Sequence, residues 1–234
     1  MDNRSRILQA ATELLEASAN ADVVTRSVAD RAGVQQPVIY RIFGDKDSLL
    51  AAVVDHGLNQ YLAAKRAMEA TPDPVADLVR GWDQHTQFAL EHPNVYRLMA
   101  APGLASAPQA LGEMHKLLRA ILERVAQAGR LAVTPERAAD IIMSANAGVA
   151  LALLTRSETQ PSTELSDQVR DIVLAGVLTP DPGDAPSHGT APTVQVATTL
   201  AALLRATPPQ SFTPAERELL AEWLMKLTHD AAFR

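Results

Sequence analysis

The chain has 234 residues, enough for one or two domains with a substantial core, and its 47% hydrophobic and 21% charged content is that of a globular protein. It has no cysteine, which excludes disulfides and thiolate metal ligands and suits a reducing cytoplasm. Of 21 basic and 27 acidic side chains, six of each fall in the first 46 residues, leaving 15 and 21 for the remainder. A neutral head on an acidic body is not a basic patch. Any affinity for DNA rests on where a few arginines point and on two copies acting together.

Only 4% of residues are aromatic, and alanine and leucine dominate, which favours helices. The opening MDNRSRILQA has no long apolar run and does not read as a signal peptide. Residues 3–19 form a first helix, with Ile7, Ala10, Ala11, Leu14 and Leu15 on one face.

The most informative stretch is residues 24–50, VTRSVADRAGVQQPVIYRIFGDKDSLL. Val28 and Ala32 share one helical face, and Gly33 supplies the freedom for a sharp turn. Pro37 is tolerated in the first turn of a second short helix, whose inner side is Ile39, Ile42 and Phe43. Gly44 ends that helix, and Asp45 caps the next. Two short helices crossing on a glycine turn make a helix-turn-helix. Gln35, Gln36, Val38, Tyr40 and Arg41 then face outward, where glutamine can pair with adenine edges and arginine with guanine or phosphate.

Val24-Thr25, Val28-Ala29, Ala32-Gly33-Val34, Ile39-Tyr40, Phe43, Lys46 and Leu49 together closely resemble the DNA-binding domain of TetR/AcrR-family transcriptional repressors. The resemblance covers about the first fifth of the chain. It implies an all-α protein with an N-terminal three-helix helix-turn-helix domain over residues 1–50. A helical-bundle effector-binding and dimerisation domain would follow over 51–234. It implies that Thr25, Arg26, Tyr40 and Lys46 meet phosphates, and that Gln35, Gln36, Val38 and Arg41 face the groove. Where the family places His or Tyr before the phenylalanine, this chain has Ile42, so the resemblance does not carry that phosphate contact over.

A long helix over residues 47–70 carries Leu50, Val53, Val54, Leu58, Tyr61 and Leu62, and Thr71-Pro72-Asp73-Pro74 breaks it. Helices follow over 74–92, 94–101 and 108–128, stopped by Pro93, Pro102-Gly103 and Gly129. Thr134-Pro135-Glu136 opens a helix to residue 157 whose only polar residues between 138 and 154 are Asp140, Ser144 and Asn146. Such a helix is buried on all sides. We expect one face on the core and one on a second subunit rather than a bilayer span, which needs an uncharged run of ~20 residues. The resemblance implies that a helix over 163–178 joins that helix in a four-helix dimer contact; a charge at Val149 or Val173 is expected to break the dimer if the residue lies at that contact and to unfold the chain if it is core. Residues 179–192, TPDPGDAPSHGTAP, read as a flexible connection. Two further helices follow, over 193–206 and 213–230. The second is opened by a Thr213–Glu216 capping box and expected to bury Leu219, Leu220, Trp223, Leu224 and Leu227.

The resemblance implies a pocket for a small, largely apolar effector. The candidates for its wall are Trp82, His85, Phe88, Met99, Met114, His115, Met143 and Asn146, polar or adaptable groups on apolar faces. Each also serves as ordinary core packing, and Asn146 also fits a dimer contact. The six histidines form no His-x3-His pair, so we expect no metal site. With no nucleophile elbow and no phosphate loop we expect no enzyme and no cofactor. The expected partners are a palindromic double-stranded operator, a small-molecule effector and a second copy of the chain, in the cytoplasm and away from membranes. The alternatives are an all-α protein-interaction module or a small enzyme that has lost operator binding.

Overall fold

The computed structural model describes residues 2–18, 23–67, 69–100, 109–155, 163–180 and 193–230. Its elements are α1 (Asn3–Glu16), α2 (Thr25–Ala32), α3 (Gln36–Phe43), α4 (Lys46–Ala67), α5 (Pro74–Glu91) and α6 (Pro93–Ala100). They continue with α7 (Gln109–Gln127), α8 (Pro135–Thr155), α9 (Glu164–Val177), α10 (Thr193–Ala206) and α11 (Pro214–Asp230). No strand occurs among the described residues; Leu131 and Leu178 form an isolated bridge. The expected all-α class holds, and helix limits agree with the expected ones to within three residues. The connection over residues 181–192 and the Pro102-Gly103 stop lie outside the described residues.

The chain divides into two compact units. The first comprises Met1–Glu69, Asp83–Lys116 and Ala147–Ser162. Its core is built from the expected stripes: Ile7, Ala11 and Leu15 of α1, Val28 of α2, Ile39 of α3 and Leu49, Val53, Val54 and Leu58 of α4 are all buried. Asp2 caps α1 by accepting from the Ser5 amide at 2.7 Å. Gly57 of α4 faces Val95 of α6 so closely that a Cβ there would come within 3.0 Å of Val95 Cγ1. Asp55 of α4 accepts from the Ala110 amide at 2.9 Å and so caps α7 across the fold.

The end of α1 is held by α6. Asn94, buried, donates from Nδ2 to the carbonyls of Leu15 at 3.0 Å, Glu16 at 3.2 Å and Ser18 at 2.8 Å. Its Oδ1 accepts from Arg97 Nη1 at 2.8 Å, and Arg97 Nη2 donates to Leu154 O at the end of α8 at 2.7 Å. Two helix C-termini, whose last carbonyls have no partners within their own helices, are thus satisfied by one short helix.

The second unit comprises Ala70–Trp82, Leu117–Asn146 and Thr163–Arg234. Its polar centre is Asp77, 3% exposed. The carboxylate accepts from the Thr71 amide at 3.0 Å, Thr71 Oγ1 at 2.6 Å and Arg124 Nη1 at 2.6 Å, and pairs with Arg80. Burial pushes this carboxyl up, but the bonds from Thr71 and Arg124 and the Arg80 charge outweigh it and bring the pKa to about 2. Trp82 Nε1 donates to Ser166 Oγ at 2.9 Å, and Asn146 Nδ2 donates to the Trp82 carbonyl at 3.2 Å, pinning α5, α8 and α9 together. Gly129 ends α7 at φ 71, and its carbonyl accepts from Thr179 Oγ1 and Gln195 Nε2, both at 3.1 Å.

One expectation needs correction, and one open position is decided. On α11, whose expected capping box is present with Thr213 N donating to Glu216 Oε2 at 2.8 Å, Leu224 is buried, but Trp223 is 55% exposed and Leu219 and Leu227 are also exposed. The inward row is Leu220, Leu224 and Thr228, one residue round the helix from the expected Leu219–Trp223–Leu227 row. Val149 of α8 is 6% exposed within the chain and is core, not a surface position. On α9, Val173 is half-buried, and the exposed apolar residue is its neighbour Ile172, at 72%. Among the described residues, α8 is the one helix long and apolar enough to cross a membrane. Ala138, Ala139, Ile142, Asn146, Val149, Ala150 and Leu153 are nevertheless buried within the protein.

Candidate nucleic-acid interface and effector site

The two short helices meet at Gly33, which adopts the left-handed conformation at φ 63, ψ 41, with the Val34 amide donating to Ala29 O at 3.0 Å to close α2. A side chain there is strained, and its Cβ would also come within 2.8 Å of Arg6 Nη2. That guanidinium donates to the Ala32 carbonyl and to Gly33 O at 3.3 Å, so α1 clamps the turn. Arg31 pairs with Glu13 at 2.6 Å, and Arg4 lies 5.4 Å over the Phe43 ring. Three of the head's six basic residues therefore hold the head together, which pattern reading missed. Only the short distance of Arg4 and Arg6 from the α1 core residues hinted at it.

The residues expected to contact DNA are exposed in part. Gln35, Gln36, Arg41 and Arg26 are exposed, Tyr40 is 42% exposed, and Val38, Thr25 and Lys46 are half-buried. Gln36 Nε2 donates to Thr25 Oγ1 at 3.1 Å, and Thr25 Oγ1 lies 3.4 Å from Tyr40 Oη. This polar line joins the start of α2 to the outer side of α3. The N-cap of α2 is Val24, whose side chain makes no cap hydrogen bond, so the first amides of α2 have no side-chain cap at the end where Thr25 lies. A helix start of this kind, flanked by hydroxyls, suits a phosphate. Asp45 caps α4 by accepting from the Ser48 amide at 2.7 Å.

The effector candidates separate between the units. His85, Phe88, Met99, Met114 and His115 belong to the first, and Trp82, Met143 and Asn146 to the second. Trp82 and Asn146 are buried in the hydrogen-bonded set with Ser166, and Met143 is half-buried. In the first unit His85 Nε2 bonds Tyr96 Oη at 2.8 Å, with the two rings edge-on at 5.4 Å. Tyr61 stands 6.2 Å from His85 and 4.9 Å from Phe88 between ring centroids, and Lys65 Nζ lies 4.9 Å over the Tyr61 ring. Burial, aided by the Lys65 charge, lowers His85 to about 3, so the imidazole is neutral. Burial raises the Tyr61 and Tyr96 hydroxyls and lowers Lys65 to about 8. The hydroxyl of Tyr61 and Oε1 of Gln84 are buried without a hydrogen-bond partner. Tyr61, Lys65, Gln84 and Tyr96 were not among the sequence candidates. Tyr61 reads there as one member of an apolar stripe, and nothing local marks its hydroxyl as buried.

Residues 7–53 match the family model for bacterial regulatory proteins of the tetR family. Over 117 residues, 47% of this chain, the sequence is 27% identical to the nucleoid occlusion factor SlmA of Marinomonas sp. (strain MWYL1), spanning 56% of that protein. Over 80 residues, 34% of this chain, it is 36% identical to an HTH-type transcriptional repressor of Mycobacterium tuberculosis, spanning 40% of that protein. The chain thus spans about half the length of the curated relatives it matches. A crystal structure of the transcriptional regulator FadR from Bacillus subtilis in complex with stearoyl-CoA superposes with a TM-score of 0.61. That likeness covers 74% of this chain and 98% of FadR at 17% identity, and it speaks for the fold alone.

Proposed function

We propose that this chain, whose residues 7–53 match the tetR family model, is a cytoplasmic transcriptional repressor of that family that binds a palindromic operator as a homodimer and leaves it when a small, largely apolar effector binds. The observation that carries this reading is the Thr25–Gln36–Tyr40 line on the exposed face of a glycine-turned helix pair. Tyr40, Thr25, Arg26 and Lys46 anchor phosphates, while Gln35, Gln36, Val38 and Arg41 read bases. Residues 1–50 act as the reading head and 51–234 as the body that senses and dimerises. The protein catalyses no reaction in this role.

Two heads on a twofold axis present α3 to successive major grooves, so the operator mirrors the symmetry of the protein. The effector site is the part of the candidate set in the first unit, around His85 and Phe88. That unit also holds the whole head and the Asn94–Arg97 tie between α1, α6 and α8. An effector that favours one arrangement of this tie shifts the heads, and by reciprocity operator DNA weakens effector binding by the same factor. Selection of binding sites from random duplex DNA tests the reading. It should enrich a palindrome, and enrichment of nothing above the starting pool would refute it.

A further inference from the structure

We propose that the contact between two copies of this chain extends over α10 and α11, with the outer apolar rows of these helices packed on the second copy; this rests on the homodimer reading above. The rows are Val196, Leu200 and Leu203 of α10 and Leu219, Trp223 and Leu227 of α11, each between 40% and 55% exposed. Steps of three or four residues set each row along one side of its helix. On its opposite side α10 buries Ala197, Thr198 and Ala202, so it is apolar both towards its own unit and away from it. The two helices pack on each other. Gln195 Nε2 donates to Gly129 O at 3.1 Å and Arg205 Nη2 to Glu123 Oε2 at 3.0 Å, which fixes the pair to α7 and the turn that ends it.

Area points to a second copy. A stable interface takes about 800 Å² from each partner. Among the described residues of α8 and α9, the large apolar side chains left exposed are Ile141 and Ile172. They offer on the order of 200 Å², too little for a dimer that forms at micromolar concentration. The rows of α10 and α11 add on the order of 500 Å², which brings the total near the size of a standard interface. The surfaces also adjoin. Thr179, two residues past α9, and Gln195, in the first turn of α10, both donate to the Gly129 carbonyl at 3.1 Å. The α10 row therefore starts beside the end of the helix that carries Ile172. The polar residues of α11 favour a protein over a lipid surface. Glu216, Arg217, Glu218, Glu222 and Lys226 carry both signs, and Glu222 pairs with Lys226 at 2.6 Å. A helix that lies on a membrane has a basic polar face instead.

The test is sedimentation equilibrium of the full-length parent beside Leu200→Glu/Trp223→Glu and Ile172→Glu. The double variant should keep the parent's circular dichroism, because both side chains are exposed within the chain. Its dimer dissociation constant should rise about 100-fold or more, since each copy now carries charges into an apolar contact. A second measurement needs no charged variant. Trp223 is exposed within the chain and Trp82, the other tryptophan, is buried. Diluting the parent through its dissociation constant should therefore move the fluorescence emission to the red, and Trp223→Phe should abolish that shift. A double variant that dimerises as tightly as the parent, or a parent whose emission stays fixed while its mass halves, would overturn the inference and leave the homodimer reading standing. A dimer that survives Ile172→Glu but not the double change would support α10 and α11 and remove α9 from the contact. A parent that is monomeric at micromolar concentration would sink the homodimer reading and the inference with it. Flotation of the parent, but not the double variant, with phosphatidylglycerol vesicles at one shared mass would assign the rows to a membrane and overturn the inference.

Discussion

Asn94 offers the sharpest stability prediction. Its two amide hydrogens serve three carbonyls at the end of α1, and its oxygen takes one Arg97 hydrogen bond. Asn94→Ala removes both donors from a buried site. At about 1 kcal/mol net per hydrogen bond, the loss is about 2 kcal/mol. Asn94→Asp keeps the shape but turns a carboxylate oxygen toward those same carbonyls. Even with Arg97 adjacent, it should cost about 1 kcal/mol more than the alanine at neutral pH. The carboxyl should titrate above its usual range, so part of the loss returns on mild acidification. Urea unfolding at fixed protein concentration is the assay. With a slope of about 2 kcal/mol/M, Asn94→Ala should lower the midpoint by about 1 M and Asn94→Asp by more. If both variants unfold at the parent's midpoint, the α1–α6 tie carries no energy. The proposed route from body to head then loses its basis.

Two further predictions follow from burial. His85 has a folded pKa of about 3 against an ordinary 6.5, so below the latter the unfolded chain binds more protons and stability falls with pH; between pH 7 and pH 5 this one group should remove about 2 kcal/mol. His85→Gln should flatten that part of a urea-derived stability–pH profile, and an unchanged slope would show that the imidazole is hydrated. At the proposed dimer contact, Ile172→Glu should yield a folded monomer by sedimentation because Ile172 is exposed within the chain. Val149→Glu should unfold the chain instead, since it buries an unpaired charge; a dimer surviving Ile172→Glu would place the contact elsewhere.

Much of the architecture is legible in local pattern. Gly33, Pro37, Gly44, Asp45, Pro93, Gly129 and the Thr213–Glu216 box mark element ends through backbone chemistry that depends on near neighbours alone. The outward set of α3 follows from helical period once Ile39 is known to be inward. What the pattern hides is long-range: Asn94 reaches carbonyls 76 to 79 residues away, and Arg124 reaches Asp77 across 47. On α11, Leu219, Leu220, Trp223, Leu224 and Leu227 span too wide an arc for period alone to choose the inward row, and packing chose Leu220–Leu224–Thr228. The environment of the Tyr61 ring is hidden for the same reason, since His85 and Phe88 reach it from α5.

The central claim is that α2 and α3 present a DNA-reading surface whose positions divide into phosphate anchors and base readers. The most direct measurement is operator affinity against salt concentration for the parent, Lys46→Ala and Gln36→Ala, each also measured on duplexes with altered half-sites. Lys46→Ala should weaken all duplexes alike and flatten the log–log salt slope by about 2 for a dimer. Gln36→Ala should keep the parent's slope while narrowing the gap between operator and altered half-sites. A Lys46→Ala variant with the parent's slope, or a Gln36→Ala variant with undiminished discrimination, would contradict the assignment of this face.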